Sequence, residues 1–215
     1  MTVRRFLLAT RSDGKLRELR EIFTAFGLQV VDLSSLGIPK LDAEDNLEAF
    51  ETFEENALAK ARYFYDASGG MPTFGDDSGM CVDALGGEPG VYSKRWSGRD
   101  DLTGNALDAA NNDKLVRRVR QARAEQGSRF TEAARYVAVA AFKDGAGEAL
   151  RRGEIEGRVI LTPRGTGGFG YDPYFEAPDL EGTFAESPIE KTARASHRSR
   201  AFHSLLAALR AEGRV

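Results

Sequence analysis

The apolar and polar positions in the first third of the chain follow strand and helix patterns in turn. Phe6 to Ala9 is a short apolar run that predicts a buried strand, and a second strand is predicted from Leu28 to Leu33. Between them the apolar residues recur at the spacing of one helix face, and they are Leu16, Leu19, Ile22, Phe23 and Phe26. Ser12 or Asp13 can cap this helix. The order strand, polar turn, helix, strand is typical of an α/β protein.

The same alternation continues along the rest of the chain. Thr52 and Glu55 have the spacing of a capping box and predict a second helix, which Gly69 and Gly70 end. The remaining predictions are a helix over Asn105–Glu125, a strand over Tyr136–Phe142, a strand pair over Leu150–Ile160 and a last helix with apolar positions from Phe202 to Leu209. No linker or internal repeat interrupts them. We therefore expect a single domain over residues 1–215.

Composition and charge exclude several classes of protein. The chain has 33 acidic and 30 basic residues, so it lacks the basic excess of a general nucleic-acid binder. No apolar run approaches the ~20 residues of a membrane span. The single cysteine, Cys81, excludes an internal disulfide and fits a reducing compartment. We expect a cytoplasmic protein with neither a nucleic acid nor a membrane as partner.

Two polar segments in the first half could bind a phosphorylated ligand and a metal. The turn from Thr10 to Lys15 offers hydroxyls, a glycine and helix N-terminal amides to a phosphate, although an ordinary capped turn has the same residues. Asp76 and Asp77 lie directly after a predicted strand. Their mutual repulsion would be offset by Mg²⁺, and a solvated turn is the alternative. The acidic residues around the start of the helix that carries Lys60 are Glu48, Glu51, Glu54 and Glu55. Most of them form a solvated face or favourable helix N-terminal charges, and one or two could be further ligands.

Two later segments could bind a nucleobase. Gly165 to Asp172 contains four glycines, which allow close approach of a ligand, and Phe169, which could stack on a planar base. A glycine-rich turn with a core phenylalanine is the alternative. Glu190 to Arg198, taken alone, is a cationic surface segment just before the last helix.

Five segments, taken in order, resemble the inosine triphosphate pyrophosphatase family, also called the Ham1-like or RdgB-like non-canonical purine NTP pyrophosphatases. They are LLATRSDGKLREL, TFEENALAKAR, FGDDSGMCVDALGGEPGVYSKRWSG, GTGGFGYDPYF and EKTARASHR, and together they span nearly the whole chain. The resemblance implies an α/β fold with an elongated central mixed β-sheet flanked by helices, in two lobes with a cleft between them. It also implies Mg²⁺-dependent hydrolysis of ITP, dITP and XTP to the monophosphate and pyrophosphate by a homodimer.

The resemblance also implies a role for each matching residue. Asp77 would bind the metal and accept the proton of the attacking water, with Asp76 and Glu48 supporting the Mg²⁺. The implied substrate-binding residues are Thr10, Arg11, Ser12, Asp13, Gly14, Lys15 and Lys60 for the triphosphate, Ser78, then Phe169, Gly170, Tyr171 and Asp172 around base and sugar, and Lys191, His197 and Arg198 for the base.

The chain departs from the family pattern at three places. Ser12 stands where asparagine is usual, AEDNLEAFE replaces the usual EETG before the second helix, and the spacing from Lys191 to Arg198 is one residue longer. We expect these differences to affect substrate selectivity and the assignment of Glu48 as a metal ligand. We expect the hydrolysis itself to be retained.

Two other functions are compatible with parts of the sequence. Maf-like pyrophosphatases also open with a strand and a phosphate-binding turn, but the GGFGYDP and EKTARASHR segments argue against them. A nucleotide-binding protein without catalysis is opposed by the retention of Asp76, Asp77, Lys15 and Lys60. The sequence does not rank ITP, dITP and XTP, count the metal ions or locate a dimer surface.

Overall fold

The computed structural model describes residues 4–215 and confirms an α/β fold with a seven-stranded mixed sheet. The strands are β1 (Arg5–Leu8), β2 (Gln29–Asp32), β3 (Thr73–Val82), β4 (Ala133–Asp144), β5 (Gly147–Val159), β6 (Phe175–Ala177) and β7 (Gly182–Thr183), hydrogen-bonded in the order β2-β1-β3-β4-β5-β6-β7. β1 pairs in parallel with β2 and β3, whereas β6 pairs antiparallel with β5 and β7. Met1 to Val3, which the single-domain prediction includes, lie outside the described residues.

The predicted helices are confirmed, with caps close to the expected residues. The helices are α1 (Asp13–Ala25), α2 (Phe53–Ala67), α3 (Gly104–Gln126), α4 (Ile189–Ala195) and α5 (His197–Ala211). Ser12 caps α1 by accepting a hydrogen bond from the Lys15 amide, and Thr52 caps α2 by accepting one from the Glu55 amide. The Glu55 carboxylate accepts from the Thr52 hydroxyl, at 2.6 Å.

Two strand predictions were wrong. Asp76 and Asp77 lie within β3, not in a turn after a strand, and β3 is buried along nearly its whole length. The predicted strand pair over Leu150–Ile160 is one continuous strand, β5. Its internal glycines are sites of close approach, since a Cβ at Gly153 would lie 2.3 Å from the His197 carbonyl oxygen and one at Gly157 would lie 2.3 Å from that of Glu176.

The described chain divides into two compact units, each built from separate segments. The first unit comprises the residues up to Asp77 together with Ala138–Gly153 and Ser196–Val215. Its core contains a cluster of five phenylalanines with neighbouring ring centroids 4.5–6.3 Å apart, namely Phe6, Phe23, Phe74, Phe142 and Phe202. The helical spacing in the sequence brings α1 and α5 together over this cluster.

The second unit comprises Ser78–Val137 and Glu154–Ala195. Its core is formed by the inward residues of α3 and by the later strands, including Leu115, Val119 and Phe175. The single domain, the two lobes and the cleft between them stay predictions. Across residues 4–215, no helix combines the length and the apolar character needed to cross a membrane.

Candidate active site

β3 presents its two aspartates to opposite faces of the sheet. Successive strand residues point to opposite sides, so Phe74 shares a face with Asp76 and Gly75 shares the other with Asp77. The Phe74 ring packs against rings from α1 and α5, at centroid distances of 4.8 and 6.1 Å. A Cβ at Gly75 would lie 2.4 Å from the carbonyl oxygen of Ala57, so α2 lies directly against the other face. The strand therefore presents one carboxylate to α1 and α5 and the other to α2.

Asp76 is held by two cations in the interior of the first unit. Lys15 Nζ lies 2.6 Å from Asp76 Oδ2, and Arg198 Nε lies 3.3 and 3.4 Å from the two carboxylate oxygens. Arg198 in turn donates to Glu18 at 2.5 Å, and Glu18 also accepts a hydrogen bond from Ser196. The connected side chains thus alternate in charge, in the order Lys15, Asp76, Arg198 and Glu18. The expectation that Arg198 lies in a surface segment was wrong, because its side chain is only 2% exposed.

Burial and the neighbouring charges shift the pKa values of the groups on this face. Burial alone would raise the pKa of Asp76, but the positive charges of Arg198 and Lys15 outweigh it and hold that pKa well below its usual range. Burial lowers the pKa of Lys15, with Asp76 opposing the shift. Burial and then the neighbouring Arg198 charge lower the pKa of His197 well below its usual value, so its imidazole is neutral at pH 7.

Asp77 shares a single lysine with a second carboxylate. Lys60 Nζ lies 2.9 Å from Asp77 Oδ1 and 2.9 Å from Glu48 Oε1. Burial raises the pKa of Asp77, and the Lys60 charge counteracts only part of that rise. Burial works against the Lys60 charge, yet Asp77 and Glu48 together raise the pKa of Lys60. The two neighbouring aspartates are therefore shifted in opposite directions, and Asp77 has the stronger affinity for a proton.

Asn56 is a site residue that the sequence reasoning missed. Its Nδ2 donates to Asp77 Oδ2 at 3.1 Å and to the Phe50 carbonyl at 3.3 Å, while its Oδ1 accepts from the Phe50 amide at 3.0 Å. This fully buried amide ties the segment before α2 to the Asp77 carboxylate. Its position four residues before Lys60, on the same helix face, was the available signal. Glu18 was missed in the same way, three residues after Lys15.

The predicted phosphate turn is ordered by its own side chains. Thr10 Oγ1 accepts from the Ser12 amide at 3.2 Å, and Ser12 caps α1, whose first turn contains Asp13 and Gly14. Arg11 points elsewhere. Its guanidinium forms a two-pronged ion pair with Glu44, at 2.7 and 2.8 Å, and donates to the carbonyls of residues 38 and 39. Its predicted contact with the triphosphate would compete with that pair.

The carboxylates can be tested as ligands for Mg²⁺. Between residues 4 and 215 no group of three or more His, Cys, Asp or Glu side chains is arranged to hold a metal ion by itself. Mg²⁺ commonly binds through only one or two carboxylates together with substrate phosphates. Asp77 and Glu48 fit that pattern, because both reach the same ammonium group and so converge on one point. Asp76 fits it poorly, since its carboxylate is taken up by Lys15 and Arg198.

The glycine-rich segment lies in the second unit and presents an aromatic ring to solvent. The Phe169 side chain is 36% exposed, and its backbone amide donates to Asp172 Oδ2 at 2.8 Å. Tyr171 is buried, and its hydroxyl donates to the Ser93 carbonyl at 2.7 Å. Burial, followed by the charge of Asp108, raises the pKa of Tyr171 far above its usual range. The Tyr171 hydroxyl is therefore engaged within the second unit, whereas the Phe169 ring is exposed.

Lys191 is engaged within the second unit. Its Nζ donates to the Leu180 carbonyl at 2.8 Å and to Glu181 at 2.9 Å, and it lines a surface cavity of about 360 Å³. The predicted residues consequently divide into two groups. The first unit holds Thr10, Arg11, Ser12, Asp13, Gly14, Lys15, Glu48, Lys60, Asp76, Asp77, His197 and Arg198, and the second holds Ser78, Phe169, Gly170, Tyr171, Asp172 and Lys191. Direct contacts join Lys15, Asp76 and Arg198, and they join Glu48, Lys60 and Asp77.

Comparison with known proteins places these residues in a family. The model of the Ham1 family matches residues 6–208. A dITP/XTP pyrophosphatase of Thermus thermophilus is 44% identical over 206 residues, covering 94% of this chain and 90% of the relative. A protein of the same name from Ralstonia nicotianae is 43% identical, covering 97% of this chain and 98% of the relative.

Solved structures give the same result. The Staphylococcus aureus Ham1 protein has a TM-score of 0.75 at 32% identity, over 97% of this chain and 100% of that one. A HAM1 protein from Coxiella burnetii has a TM-score of 0.77 at 30% identity, over 96% of this chain and 98% of that one. The chain belongs to the Ham1 family.

Proposed function

We propose that this protein is a nucleoside triphosphate pyrophosphatase that hydrolyses dITP, XTP and ITP to the monophosphate and pyrophosphate. Support comes from the activity for which relatives more than 40% identical over almost the whole chain are named. The observation that carries the proposal is the group of Glu48, Lys60 and Asp77, in which two carboxylates converge on one buried ammonium. Such a group can receive both a phosphate and a cation.

Asp77 is the residue proposed to accept the proton of the attacking water. Its carboxylate combines burial, a raised pKa and a fixed orientation set by Asn56 and Lys60. A raised pKa brings a carboxylate closer to the pH at which general-base catalysis is effective. Little covalent chemistry is otherwise required, because phosphoryl transfer depends mainly on positioning and charge neutralisation.

Charge neutralisation is assigned to the lysines and to a cation. Lys15 and Lys60 would neutralise the triphosphate beside the hydroxyls and amides of residues 10–14. Glu48 and Asp77 are the residues proposed to hold Mg²⁺, which when bound withdraws negative charge from the phosphate oxygens.

Selectivity for a 6-oxopurine is proposed to involve Arg198 and backbone amides as donors. The ion pairs of Arg198 with Glu18 and Asp76 hold its guanidinium in one orientation before the nucleotide arrives. A 6-amino group would leave buried donors without acceptors, a mismatch that can disfavour the wrong substrate by about 10⁴-fold. Phe169 would stack on the base.

The test is the Mg²⁺-dependent release of products from dITP, XTP, ITP, ATP and GTP, with pyrophosphate and orthophosphate measured separately. The expected result is pyrophosphate and monophosphate from dITP, XTP and ITP, and little from ATP, which lacks the 6-oxo group. Little is also expected from GTP, because its 2-amino group is proposed to meet a steric or desolvation penalty. Orthophosphate release, equal rates on ATP or binding without turnover would overturn the proposal.

The homodimer and the cytoplasmic location are parts of the same proposal. The first follows from the family resemblance and the second from the single cysteine. Sedimentation equilibrium of the full chain, whose mass is 23.5 kDa, tests the first directly, because a dimer has twice that mass.

A further inference from the structure

Two residues of α3 hold the backbone on the C-terminal side of Phe169. Asp108 Oδ2 accepts a hydrogen bond from the Gly170 amide at 2.9 Å. Asn112 Nδ2 donates to the Gly170 carbonyl at 3.0 Å. Asp108 and Asn112 are one helical turn apart, so they lie on the same face of α3 and contact both polar groups of a single residue.

These contacts complete a clamp on both sides of Phe169. The amide before its Cα donates to Asp172 Oδ2 at 2.8 Å, and the amide after it donates to Asp108. With both flanking peptide groups bonded to carboxylates, the two backbone dihedrals of Phe169 are restrained. The ring itself stays exposed, and the residues before it, 162–168, are exposed as well. An exposed aromatic ring on a restrained backbone is suited to contact with a ligand.

We propose that Asp108 and Asn112 are positioning residues that orient Phe169 for stacking on the purine base. This inference rests on the proposed function and adds two residues to it. Neither residue needs to reach the base, because both act through the Gly170 peptide groups.

The physical effect is pre-organisation. A flexible glycine-rich segment loses conformational freedom when it binds a ligand, and that loss weakens binding. Gly168 and Gly170 both have positive φ, of 70° and 62°, so without the clamp this segment has access to many conformations. Removing one hydrogen bond to a charged acceptor should weaken base binding by about tenfold.

The experiment compares Asp108→Ala and Asn112→Ala with two controls on the same helix. Asp113→Ala and Asn105→Ala remove the same side chains at exposed positions of α3. Asp108→Asn is the conservative variant, because an amide oxygen can still accept from the Gly170 amide. KM and kcat for dITP are measured, together with inhibition by IMP, which carries the base, and by inorganic tripolyphosphate, which does not. Melting temperatures monitor folding.

The expected result is a rise of about tenfold in KM for dITP and in the inhibition constant of IMP, with kcat within about twofold and tripolyphosphate inhibition unchanged. Phe169→Ala should behave in the same way, and Asp108→Asn should recover most of the loss. Both controls should match the unaltered protein. A purely structural role would instead lower kcat through a smaller folded fraction and leave KM unchanged.

Two outcomes count against separate claims. If the unaltered chain releases pyrophosphate from dITP but the Asp108→Ala and Asn112→Ala variants keep its KM, the positioning role is wrong and the proposed function stands. Equal weakening of the inhibition by IMP and by tripolyphosphate also rejects the positioning role, because the effect would not be specific to the base. If the unaltered chain does not hydrolyse dITP, the proposed function fails, and this inference fails with it.

Discussion

Asp76 and Asp77 are identical in chemistry and adjacent in sequence, yet their neighbours give them different tasks. Asp76 faces two cations, so its negative charge is satisfied inside the protein. Asp77 faces one cation that it shares with Glu48. Only the second arrangement leaves negative charge over for an incoming cation. The geometry therefore favours Asp77 over Asp76 as the aspartate proposed to bind a cation.

Asp77→Asn should abolish turnover while the protein stays folded. The amide cannot accept the proton of water, and loss of a general base typically lowers the rate by at least about 100-fold. The fold should survive because Lys60 keeps Glu48 as a partner. The measurements are kcat for pyrophosphate release from dITP and a circular dichroism spectrum. Near-normal pyrophosphate release would reject Asp77 as the base.

Glu18→Ala should destabilise the protein by about 3–5 kcal/mol, because it leaves Arg198 buried with only part of its negative surroundings. The free energy of unfolding in urea is the measurement. Glu21→Ala, at an exposed position of the same helix, is the matched control and should change that free energy by less than about 0.5 kcal/mol. Equal small effects of both variants would show that the buried charges do not depend on one another.

At the scale of elements, the approach of α2 to β3 is set by the absence of a side chain at Gly75. The nearest atoms to a Cβ there belong to the α2 backbone, at 2.4 Å from an oxygen and 3.0 Å from a nitrogen. Because these atoms belong to the helix backbone, a Cβ at this position could be accommodated only if α2 moved. The same helix presents Asn56 and Lys60 to Asp77, so the spacing of the two elements sets those contacts.

Gly75→Ala should therefore lower both stability and kcat. Alanine in place of glycine normally favours a strand, but overpacking at this site should cost about 1–3 kcal/mol and should move α2 away from Asp77. Gly145→Ala is the control, because its Cβ would meet only the Tyr65 hydroxyl, at 3.7 Å. Thermal denaturation and kcat for dITP are compared. A Gly75→Ala protein as stable and active as the control would show that the interface can relax.

The limits of sequence reasoning are clearest at the level of these elements. The amphipathic helices were predicted within a few residues, because their apolar positions recur on one face. β3 was not recognised as continuous, since paired aspartates are rare in a buried strand and typical of a turn. The positive charges that stabilise these buried aspartates come from Lys15, Lys60 and Arg198. These residues are distant in sequence, so no local pattern reveals them. The family motifs supplied most of the candidate site residues. Asn56 and Glu18 had a sequence signal in their helical spacing from Lys60 and Lys15, whereas the contacts of Asp108 and Asn112 with Gly170 required the three-dimensional arrangement.

At the scale of the whole molecule, Asp144 joins distant parts of the first unit. It is the last residue of β4 and accepts hydrogen bonds from the amides of Ala146 and Gly147, at 2.9 and 3.1 Å. Arg214, near the end of the chain, donates to it at 2.7 and 3.2 Å. Burial opposes the ionised form of Asp144, but the Arg214 and backbone hydrogen bonds outweigh it and lower the pKa of this carboxyl.

Asp144→Asn should cost about 1–3 kcal/mol of stability at pH 7, and the cost should become smaller as the pH falls below 3.8. The pKa of Asp144 is lower in the folded chain than in the unfolded chain, so the folded chain binds fewer protons. The stabilisation is full above the ordinary value of 3.8 and is lost as the pH falls through the folded-state pKa. The free energy of unfolding in urea is measured at pH 7 and near pH 3 for the variant and the unaltered protein. Asp66→Asn, which changes an exposed aspartate, is the control. A difference independent of pH would contradict this account.

The pairing of Glu18 with Arg198 has a consequence for how the chain is made. The two residues are separated by 180 positions. At typical rates of synthesis the ribosome needs about 9 to 36 seconds to travel from one codon to the other. Throughout that interval the first unit lacks the guanidinium that pairs with Glu18 and Asp76, so burying Glu18 would leave its charge without this partner. Polypeptides terminated before Arg198 would lack this ion pair and would therefore remain open to proteases.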